Sequence, residues 1–296
     1  MTTLATPTGL NGEIATFQWQ WRNQPLAITF ETLGAGRPVL LLPAFSTVST
    51  RAEMAAIAQK LAPHYQVTVL DWPGFGDSDR PRLDYQPALY RQFLQDFVAA
   101  QFSEPTAVIA AGHAAGYVMG LAPKNIWSKI VLTAPTWRGP LAVMGAPEGV
   151  RSGVRALVRS PLLGQALYGL NTRPNFLKWM YRRHVFADAA KLTPDYIAQR
   201  YQGTQQPGAR YAPAAFVTGG LDPAQTRADF LAFFEGSAAP VMVVVAEQAP
   251  PSSLAEMEAM ADLPQVQAVR SPGSLGMTEE YGNEVAGKIL PFLQSA

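Results

Sequence analysis

The sequence predicts an α/β protein: a mostly parallel sheet with helices on both faces. Short, continuous apolar runs recur near residues 39, 67, 107 and 130, and helical patterns separate them. Runs of this length are typical of strands buried on both faces of a sheet. Because parallel neighbours need a crossover connection, strands that alternate with helices indicate a parallel sheet. The same alternation returns after residue 240.

The first third of the chain predicts an edge hairpin followed by the first buried strand. Residues 13–22 and 25–33 alternate between apolar and polar side chains, with Asn23-Gln24 between them. The run PVLLL at 38–42 is the buried strand. A helix follows over 51–61, and Thr50 with Glu53 three residues later predicts a capping box at its start.

The remaining core elements follow from the same two patterns. The helix predicted at 87–102 carries a single apolar stripe, which favours packing of one face against a sheet. The other predicted elements are strands at 66–70, 107–111, 129–132, 241–245 and 266–269, and helices at 253–261 and 280–293.

Between residues 136 and 236 the alternation of strands and helices stops. This segment has helical pieces, many prolines and glycines, and 12 Lys/Arg against 6 Asp/Glu, whereas the rest of the chain has 11 against 16. We therefore predict a core of residues 1–135 and 237–296, interrupted by a helical cap, or lid, at 136–236.

Composition excludes several classes of protein. A net charge of +1 gives no electrostatic basis for nucleic-acid binding. The chain has no cysteine, and His64, His113 and His184 lack the spacing of metal ligands. No run of about 18 apolar residues predicts a membrane span, and no secretory signal is visible. The expectation is a cytoplasmic protein without metal or cofactor.

The stretch at 108–120, VIAAGHAAGYVMG, predicts a sharp turn from a buried strand into a helix. Such a turn, with glycines on both flanks, is the nucleophile elbow, which lifts one side chain above the sheet edge. The residue expected there is Ser, Cys or Asp. With Gly112 and Gly116 as the flanks, the lifted residue is Ala114.

Five segments together resemble the α/β-hydrolase fold superfamily, in its capped form. The most specific is DWPGFGDSDRP at 71–81, which is similar to the family's Asp-x-x-Gly-x-Gly-x-Ser turn. The others are LLPAF at 41–45, GHAAG at 112–116, PVMVVVAEQAP at 240–250 and PGSLGMTEE at 272–280. The resemblance implies an α/β-hydrolase fold and places the catalytic triad on three of these segments.

The resemblance puts nucleophile, acid and base at Ala114, Ala249 and Thr278, the last by its seven-residue distance from Val285. Acyl transfer in this fold needs a hydroxyl activated by an imidazole that an acid orients. Two methyl groups and a threonine cannot do this, so we predict a degenerate triad. Thr278 also fits a second interpretation, an N-cap followed by acidic residues.

The same resemblance implies an oxyanion-type loop whose N–H groups come from Phe45 and Ala115. We predict a pocket above Ala114, although each lining residue also fits a generic core. His113 has two interpretations, a structural residue or a catalytic one; adjacent side chains on a tight turn diverge, which favours the structural role. The predicted pocket-lining residues are Phe45, Ser46, Trp72, His113, Tyr117 and Trp137.

The cap carries a predicted basic surface of Arg151, Arg155, Arg159, Arg182 and Arg183. Basic groups beside apolar ones bind anionic membranes or amphiphilic anions. The alternative is a solvated helical lid whose arginines pair with the acidic core.

These observations lead to a pseudoenzyme hypothesis: an α/β-hydrolase-fold protein without hydrolase activity that binds an apolar or amphiphilic small molecule or acts as a scaffold. Two alternatives stay open. One is an esterase-like hydrolase with a non-standard catalytic set. The other is a module that uses the basic cap to bind a membrane surface or a protein, peripheral to a membrane.

Overall fold

The computed structural model describes residues 9–160 and 163–295. Residues 1–8 of the predicted core, 161 and 162 of the predicted cap, and the last residue of the core lie outside the described residues. The strands are β1 (Glu13–Trp21), β2 (Gln24–Leu33), β3 (Arg37–Leu42), β4 (Tyr65–Leu70), β5 (Thr106–Ala111), β6 (Trp127–Thr133), β7 (Val241–Ala246) and β8 (Val266–Ser271).

These strands form one eight-stranded sheet in the order β1-β2-β4-β3-β5-β6-β7-β8. The predicted hairpin of β1 and β2 is antiparallel, and β2 also runs antiparallel to β4. Every neighbouring pair from β4 to β8 is parallel. The predicted fold class is therefore confirmed. Because β3, β5, β6, β7 and β8 point the same way, the loops that follow them meet at one edge of the sheet.

The core helices are α1 (Ala55–Leu61), α2 (Pro87–Gln101), α3 (Ala114–Leu121), α11 (Pro251–Ala261), α12 (Met277–Glu280) and α13 (Gly282–Gln294). The predicted capping box before α1 is wrong. Thr50 makes no side-chain cap bond, and residues Arg51–Met54 form a 3₁₀ turn. The carboxylate of Glu53 accepts from the hydroxyl of Ser49 and from the backbone N–H of Thr50, so only the Glu53 half of the box is present.

All described residues between β6 and β7 are helix, turn or loop. The helices are α4 (Pro140–Val143), α5 (Glu148–Arg159), α6 (Leu163–Asn171), α7 (Pro174–Met180), α8 (Pro194–Thr204), α9 (Tyr211–Val217) and α10 (Arg227–Ala232). Part of this helical segment packs into a second, small core together with Val48 of the loop after β3; its other members are Leu177, Tyr181, Phe186, Leu192 and Ile197. The main core of the protein lies around the sheet.

Buried charges hold the first crossover to the sheet. The guanidinium of Arg51 forms ion pairs with Glu31 of β2, with Asp71 after β4 and with Asp77. The Asp71 carboxylate also accepts from the backbone N–H of Asp77 at 2.9 Å, and its carbonyl accepts from Ser78 at 2.8 Å. The motif at 71–81 is thus a turn organised by a buried carboxylate, which accounts for an Asp at its first position.

Candidate functional site

The elbow after β5 turns at Gly112. This residue has φ of +51°, in the left-handed region that favours glycine, and α3 begins two residues later at Ala114. Its N–H donates to the carbonyl of Thr133, and its own carbonyl accepts from Ala115 and Thr136. The strained position between strand and helix is therefore Gly112.

This geometry moves the elbow by two residues and corrects the prediction for Ala114. In a Gly-x-Ser-x-Gly elbow the nucleophile occupies the strained position, and small residues lie two before and two after it. With Gly112 in that position, Ala110 and Ala114 are the small flanks. Ala114 itself lies fully buried in the first turn of α3. The residue at which the elbow turns thus carries no side chain.

Two further residues of the predicted elbow have other roles. The N–H of Ala115 donates to the Gly112 carbonyl at 3.2 Å, so it closes the turn and does not serve as an oxyanion donor. Gly116 is small because a Cβ there would collide with Pro223. The predicted oxyanion role of Ala115 is therefore wrong, and Gly116 is explained by helix packing.

Aromatic rings fill the space that we predicted as a pocket. The ring of Phe45 stacks on Trp72 at 4.9 Å and meets Tyr90, Tyr117 and His113 at 5.0, 5.5 and 5.9 Å. The indole N–H of Trp72 donates to the carbonyl of Pro43. These rings are buried against each other, so the loop after β3 lies packed onto the elbow.

Two cavities adjoin this edge of the sheet, and of the six predicted lining residues only Trp137 borders either of them. Phe45, Trp72, His113 and Tyr117 are core residues. The hydroxyl of Ser46 accepts from the N–H of Val48, which makes it a turn residue. The predicted pocket above Ala114 is thus wrong, because large rings occupy its volume.

His113 is a buried neutral imidazole. Its Nε2 lies 2.9 Å from the carbonyl of Leu221, so Nε2 carries the proton and donates. Nδ1 is buried and has no hydrogen-bond partner among the described residues. Burial lowers the pKa of His113 to about 4, opposed by the bond to Leu221. The side chain joins α3 to the segment after α9, which is the structural role that its position before Ala114 predicted.

An acid lies next to this imidazole. Oδ1 of Asp222 is 3.5 Å from Nε2 of His113 and accepts from the N–H of Gly139 at 2.7 Å. Burial raises the pKa of Asp222 to about 7, although Gly139, Arg151 and Arg138 lower it. The sequence analysis missed Asp222, and its signal is the Gly219-Gly220-Leu221-Asp222-Pro223 turn inside the basic segment.

The predicted acid and base positions offer no replacement for a triad. Ala249 is buried in the loop after β7, and its N–H donates to Ala246. Thr278 is buried inside α12, whose N-cap is Gly276, so the interpretation of Thr278 as an N-cap is wrong. The chain has no histidine beyond residue 184. The loop after β8 therefore has no imidazole at any position.

A smaller cavity, of about 40 Å³, lies between the 47–50 loop and α8. Arg200 borders it, pairs with Glu279 and lies over the ring of Tyr196. Behind this pair, burial raises the pKa of Glu53 to about 8, with Arg200 opposing. The volume is that of one or two water molecules. This cluster therefore ties α8 to the core rather than holding a ligand.

The larger cavity, of about 190 Å³, lies between the segment 137–155 and the loop 219–225. Three arginines border it, namely Arg138, Arg151 and Arg155, together with the acids Glu148 and Asp222. It is polar, it adjoins the Asp222–His113 pair, and the sequence analysis placed two of its arginines on a surface instead.

The predicted basic surface is divided by the fold. The side chains of Arg151, Arg155 and Arg159 are 17%, 24% and 32% exposed and turn toward Glu148, Thr218 and Asp84. On the other face of α5, Val150, Val154 and Leu157 are 55%, 37% and 43% exposed. Arg182 and Arg183 are exposed, and Arg183 lies over the ring of Trp179.

Among the described residues, no group of three or more His, Cys, Asp or Glu side chains is placed to hold a metal ion. No helix in the described part of the chain is both long and apolar enough to cross a bilayer.

Comparison with known proteins gives the family. Three solved structures that match are a thermophilic esterase from Thermogutta terrifontis, a bromoperoxidase from Bacillus anthracis and the enol-lactonase from Burkholderia xenovorans LB400. Their sequence identities are 18%, 16% and 14%, and their TM-scores are 0.72, 0.69 and 0.67. The matches cover 95%, 96% and 91% of this chain and 98%, 100% and 97% of those chains.

At these identities the likeness to solved structures shows the fold alone. None of the curated proteins matches the sequence significantly. The model of the alpha/beta hydrolase family matches residues 39–287. This match spans the sheet from β3 onward, the elbow, the helical segment and most of α13, and the chain therefore belongs to the alpha/beta hydrolase family.

Proposed function

We propose that this protein is a pseudoenzyme of the family, which binds a small molecule and does not hydrolyse one at the elbow. The observation that supports the proposal is Gly112, which has φ of +51° at the turn of the elbow and carries no side chain there. A fold can keep its architecture and its binding surfaces after its chemistry is gone.

The chemistry of acyl transfer explains why a residue without a side chain at the turn supports the loss of hydrolysis. The reaction needs an oxygen or sulfur nucleophile whose proton passes to an adjacent base. Gly112 offers neither, and a Cβ built on it would lie only 3.0 Å from the Cβ of Ala44. Loss of a single triad member costs about four to six orders of magnitude in rate. The predicted acid and base positions, Ala249 and Thr278, also carry neither a carboxylate nor an imidazole.

The neighbours named above are an esterase, a bromoperoxidase and an enol-lactonase, so hydrolysis with a non-standard catalytic set is the alternative to test. The groups that could carry it are His113 and Asp222, the imidazole and carboxyl beside the elbow. However, His113 is 1% exposed and its Nε2 bonds to Leu221, which leaves it out of reach of a substrate. This burial favours the binding function over the alternative.

The experiment is a fluorophosphonate labelling assay with a panel of short- and medium-chain p-nitrophenyl esters. We expect no labelling and no turnover above buffer for the wild-type protein. An active esterase with a serine nucleophile serves as the positive control. Turnover that disappears in His113→Gln or Asp222→Asn, with folding preserved by circular dichroism, would overturn the proposal and establish the alternative.

A second candidate function, peripheral membrane binding, rests on the exposed apolar groups of the helical segment. Val150, Leu163 and Trp179 are 55%, 63% and 53% exposed, and the indole of Trp179 has exposed cations beside it in sequence, Lys178, Arg182 and Arg183. Apolar and aromatic groups that enter the interface, flanked by cations, are what an anionic bilayer surface attracts.

Vesicle flotation tests this candidate. We expect binding to vesicles that contain phosphatidylserine, and at least a fivefold loss in the triple variant Lys178→Glu/Arg182→Glu/Arg183→Glu or in Trp179→Ala. The matched control reverses three exposed cations of the core, Lys60, Arg91 and Lys288. Equal binding of the two triple variants, or no binding by the wild type, would exclude this function.

A further inference from the structure

The cavity of about 190 Å³ beside Asp222 is built around two arginines and two glycines. A Cβ on Gly219 would collide with Nη1 of Arg151, and a Cβ on Gly220 would collide with Nη1 of Arg155. Only glycine at 219 and 220 leaves room for both guanidinium groups in their present positions. The two glycines and the positions of the two guanidinium groups therefore depend on each other.

The two arginines come from successive turns of one helix. Arg151 and Arg155 lie four residues apart on α5, so their side chains emerge on the same face. Nη1 of Arg151 donates to the carbonyl of Thr218 at 3.3 Å, and Nη1 of Arg155 donates to the hydroxyl of Thr218 at the same distance. One residue thus orients both groups toward the cavity edge.

The hydrogen-bonding capacity of these arginines is not used up. Nε of Arg151 is buried and has no partner among the described residues. A buried guanidinium N–H without an acceptor costs free energy unless a ligand or water accepts from it. Arg138 borders the same cavity and lies over the ring of Trp137, which adds a third cation and an aromatic wall.

The charge balance of the cavity is positive. Three arginines face two acids, Glu148 and Asp222. Glu148 is 63% exposed and bonds Arg151 from the solvent side at 2.6 Å. Asp222 already accepts from the N–H of Gly139, and the raised pKa of its carboxyl populates its neutral form near pH 7. An incoming anion would therefore meet mainly cationic groups.

We propose that this cavity is a binding site for a small anionic molecule, with a carboxylate or phosphate group held by Arg151 and Arg155. Planar guanidinium groups recognise both oxyanions through paired N–H donors. A volume of about 190 Å³ corresponds to roughly six water molecules, which limits the ligand to a compact organic anion. The ring of Trp137 contacts its carbon skeleton.

This inference rests on the proposed function and names its ligand class as a compact anion, where the sequence predicts an apolar or amphiphilic small molecule. The site lies on the helical segment, adjacent to the elbow through the Asp222–His113 contact of 3.5 Å. The 219–225 loop that borders the cavity also carries Leu221 and Pro223 against α3.

Isothermal titration and thermal unfolding test the site with two probes, succinate and inorganic phosphate, and with succinamide as the neutral analogue. We expect one or both anions to bind and to raise Tm, and succinamide to do neither. Binding of succinate alone assigns a carboxylate ligand, and binding of phosphate alone assigns a phosphorylated one. Either result supports the proposal.

The variants locate the binding. Arg155→Met should weaken it at least tenfold, and Arg155→Lys should restore part of it. Arg159→Met is the matched control, because Arg159 lies on the same face of α5 but pairs with Asp84 at 2.6 Å outside the cavity. Gly220→Ala, which displaces Arg155, should weaken binding without any change of charge.

The proposal is overturned if neither anion binds, or if Arg155→Met and Gly220→Ala bind like the wild type. Failure of the proposed function is a separate result. Anion binding together with ester turnover would refute the pseudoenzyme and leave the site standing, whereas no binding and no turnover would refute the site alone.

Discussion

Nε2 of His113 lies 2.9 Å from the carbonyl of Leu221 and 3.5 Å from Oδ1 of Asp222, in a fully buried position beside the elbow. The hydroxyl of Tyr117 donates to the same carbonyl at 2.7 Å. This one backbone oxygen therefore anchors two side chains of α3 to the helical segment.

The first prediction concerns acid stability through His113. Its folded pKa of about 4 lies below the ordinary value of 6.5, so the unfolded chain binds more protons between these values. The contribution of the neutral His113 to the free energy of unfolding is fully present above pH 6.5, and it is lost as the pH falls to 4. Relative to His113→Gln, the wild type should lose about 3 kcal/mol across this range.

Urea unfolding of both proteins at pH 4.5 and 7 measures this difference. Asp222 titrates in an overlapping range because burial raises its pKa to about 7, so the comparison is repeated in an Asp222→Asn background. A difference between wild type and His113→Gln that does not change with pH contradicts the prediction.

The second prediction concerns Glu53 and has the opposite sign. Burial raises its pKa to about 8, so the folded protein binds more protons than the unfolded chain between pH 4.5 and 8. The free energy of unfolding therefore decreases as the pH rises through this window. Glu53→Gln should remove a decrease on the order of 5 kcal/mol over this window, of which about 3 kcal/mol falls above pH 6.

Unfolding curves at pH 6 and 9 for wild type and Glu53→Gln give the result. We expect Glu53→Gln to be the more stable of the two at pH 9, because the wild type then carries a buried charge. Glu258→Gln is the control, since that carboxylate is half-exposed and pairs with Arg270 at the surface. Parallel pH profiles for all three proteins would contradict the assignment.

The third prediction tests the position of the elbow. Gly112→Ala forces an alanine to a φ of +51° and puts its Cβ 3.0 Å from the Cβ of Ala44, so it should destabilise by about 1–3 kcal/mol. Gly120→Ala, within α3 and with open space around it, should stabilise by about 0.5–1 kcal/mol. Equal effects in chemical denaturation would refute Gly112 as the turning residue.

The fourth prediction concerns the buried ion network of the first crossover. Arg51→Met removes the cation that Glu31, Asp71 and Asp77 share, and should cost about 3–5 kcal/mol of unfolding free energy. Arg270→Met removes an exposed partner of Glu258 and should cost less than about 1 kcal/mol. Similar midpoints of thermal unfolding for both variants would show that the network contributes little.

Much of the core was predictable because its signals are local. A run such as Val241–Ala246 is apolar throughout, which is typical of a strand buried on both faces, and the hairpin of β1 and β2 follows from alternation with a short turn. The charge bias of residues 136–236 was also predictable, because it follows from counting basic and acidic residues in the sequence.

The site was only partly predictable, because the predictions that proved wrong concern residues whose roles are set by tertiary packing. The motif GHAAG fits a Gly-x-Nucleophile-x-Gly pattern at Ala114, yet backbone conformation places the turn at Gly112. Sequence spacing cannot distinguish a glycine needed for a positive φ from one needed for contact with Pro223. Arg151 and Arg155 on a polar stripe predict a solvated face, but their partners from residues 218–222 turn them inward.

Residue types and local patterns were enough to predict the order of strands and helices, and they show that Gly112 and Ala114 carry no nucleophile and that no histidine follows residue 184. Those properties depend on residue type and on neighbours along the chain. The aromatic rings that fill the predicted pocket and the cationic cavity beside Asp222 result from the packing of segments that are distant in the sequence. These depend on which distant side chains occupy the same volume, and local patterns do not encode that.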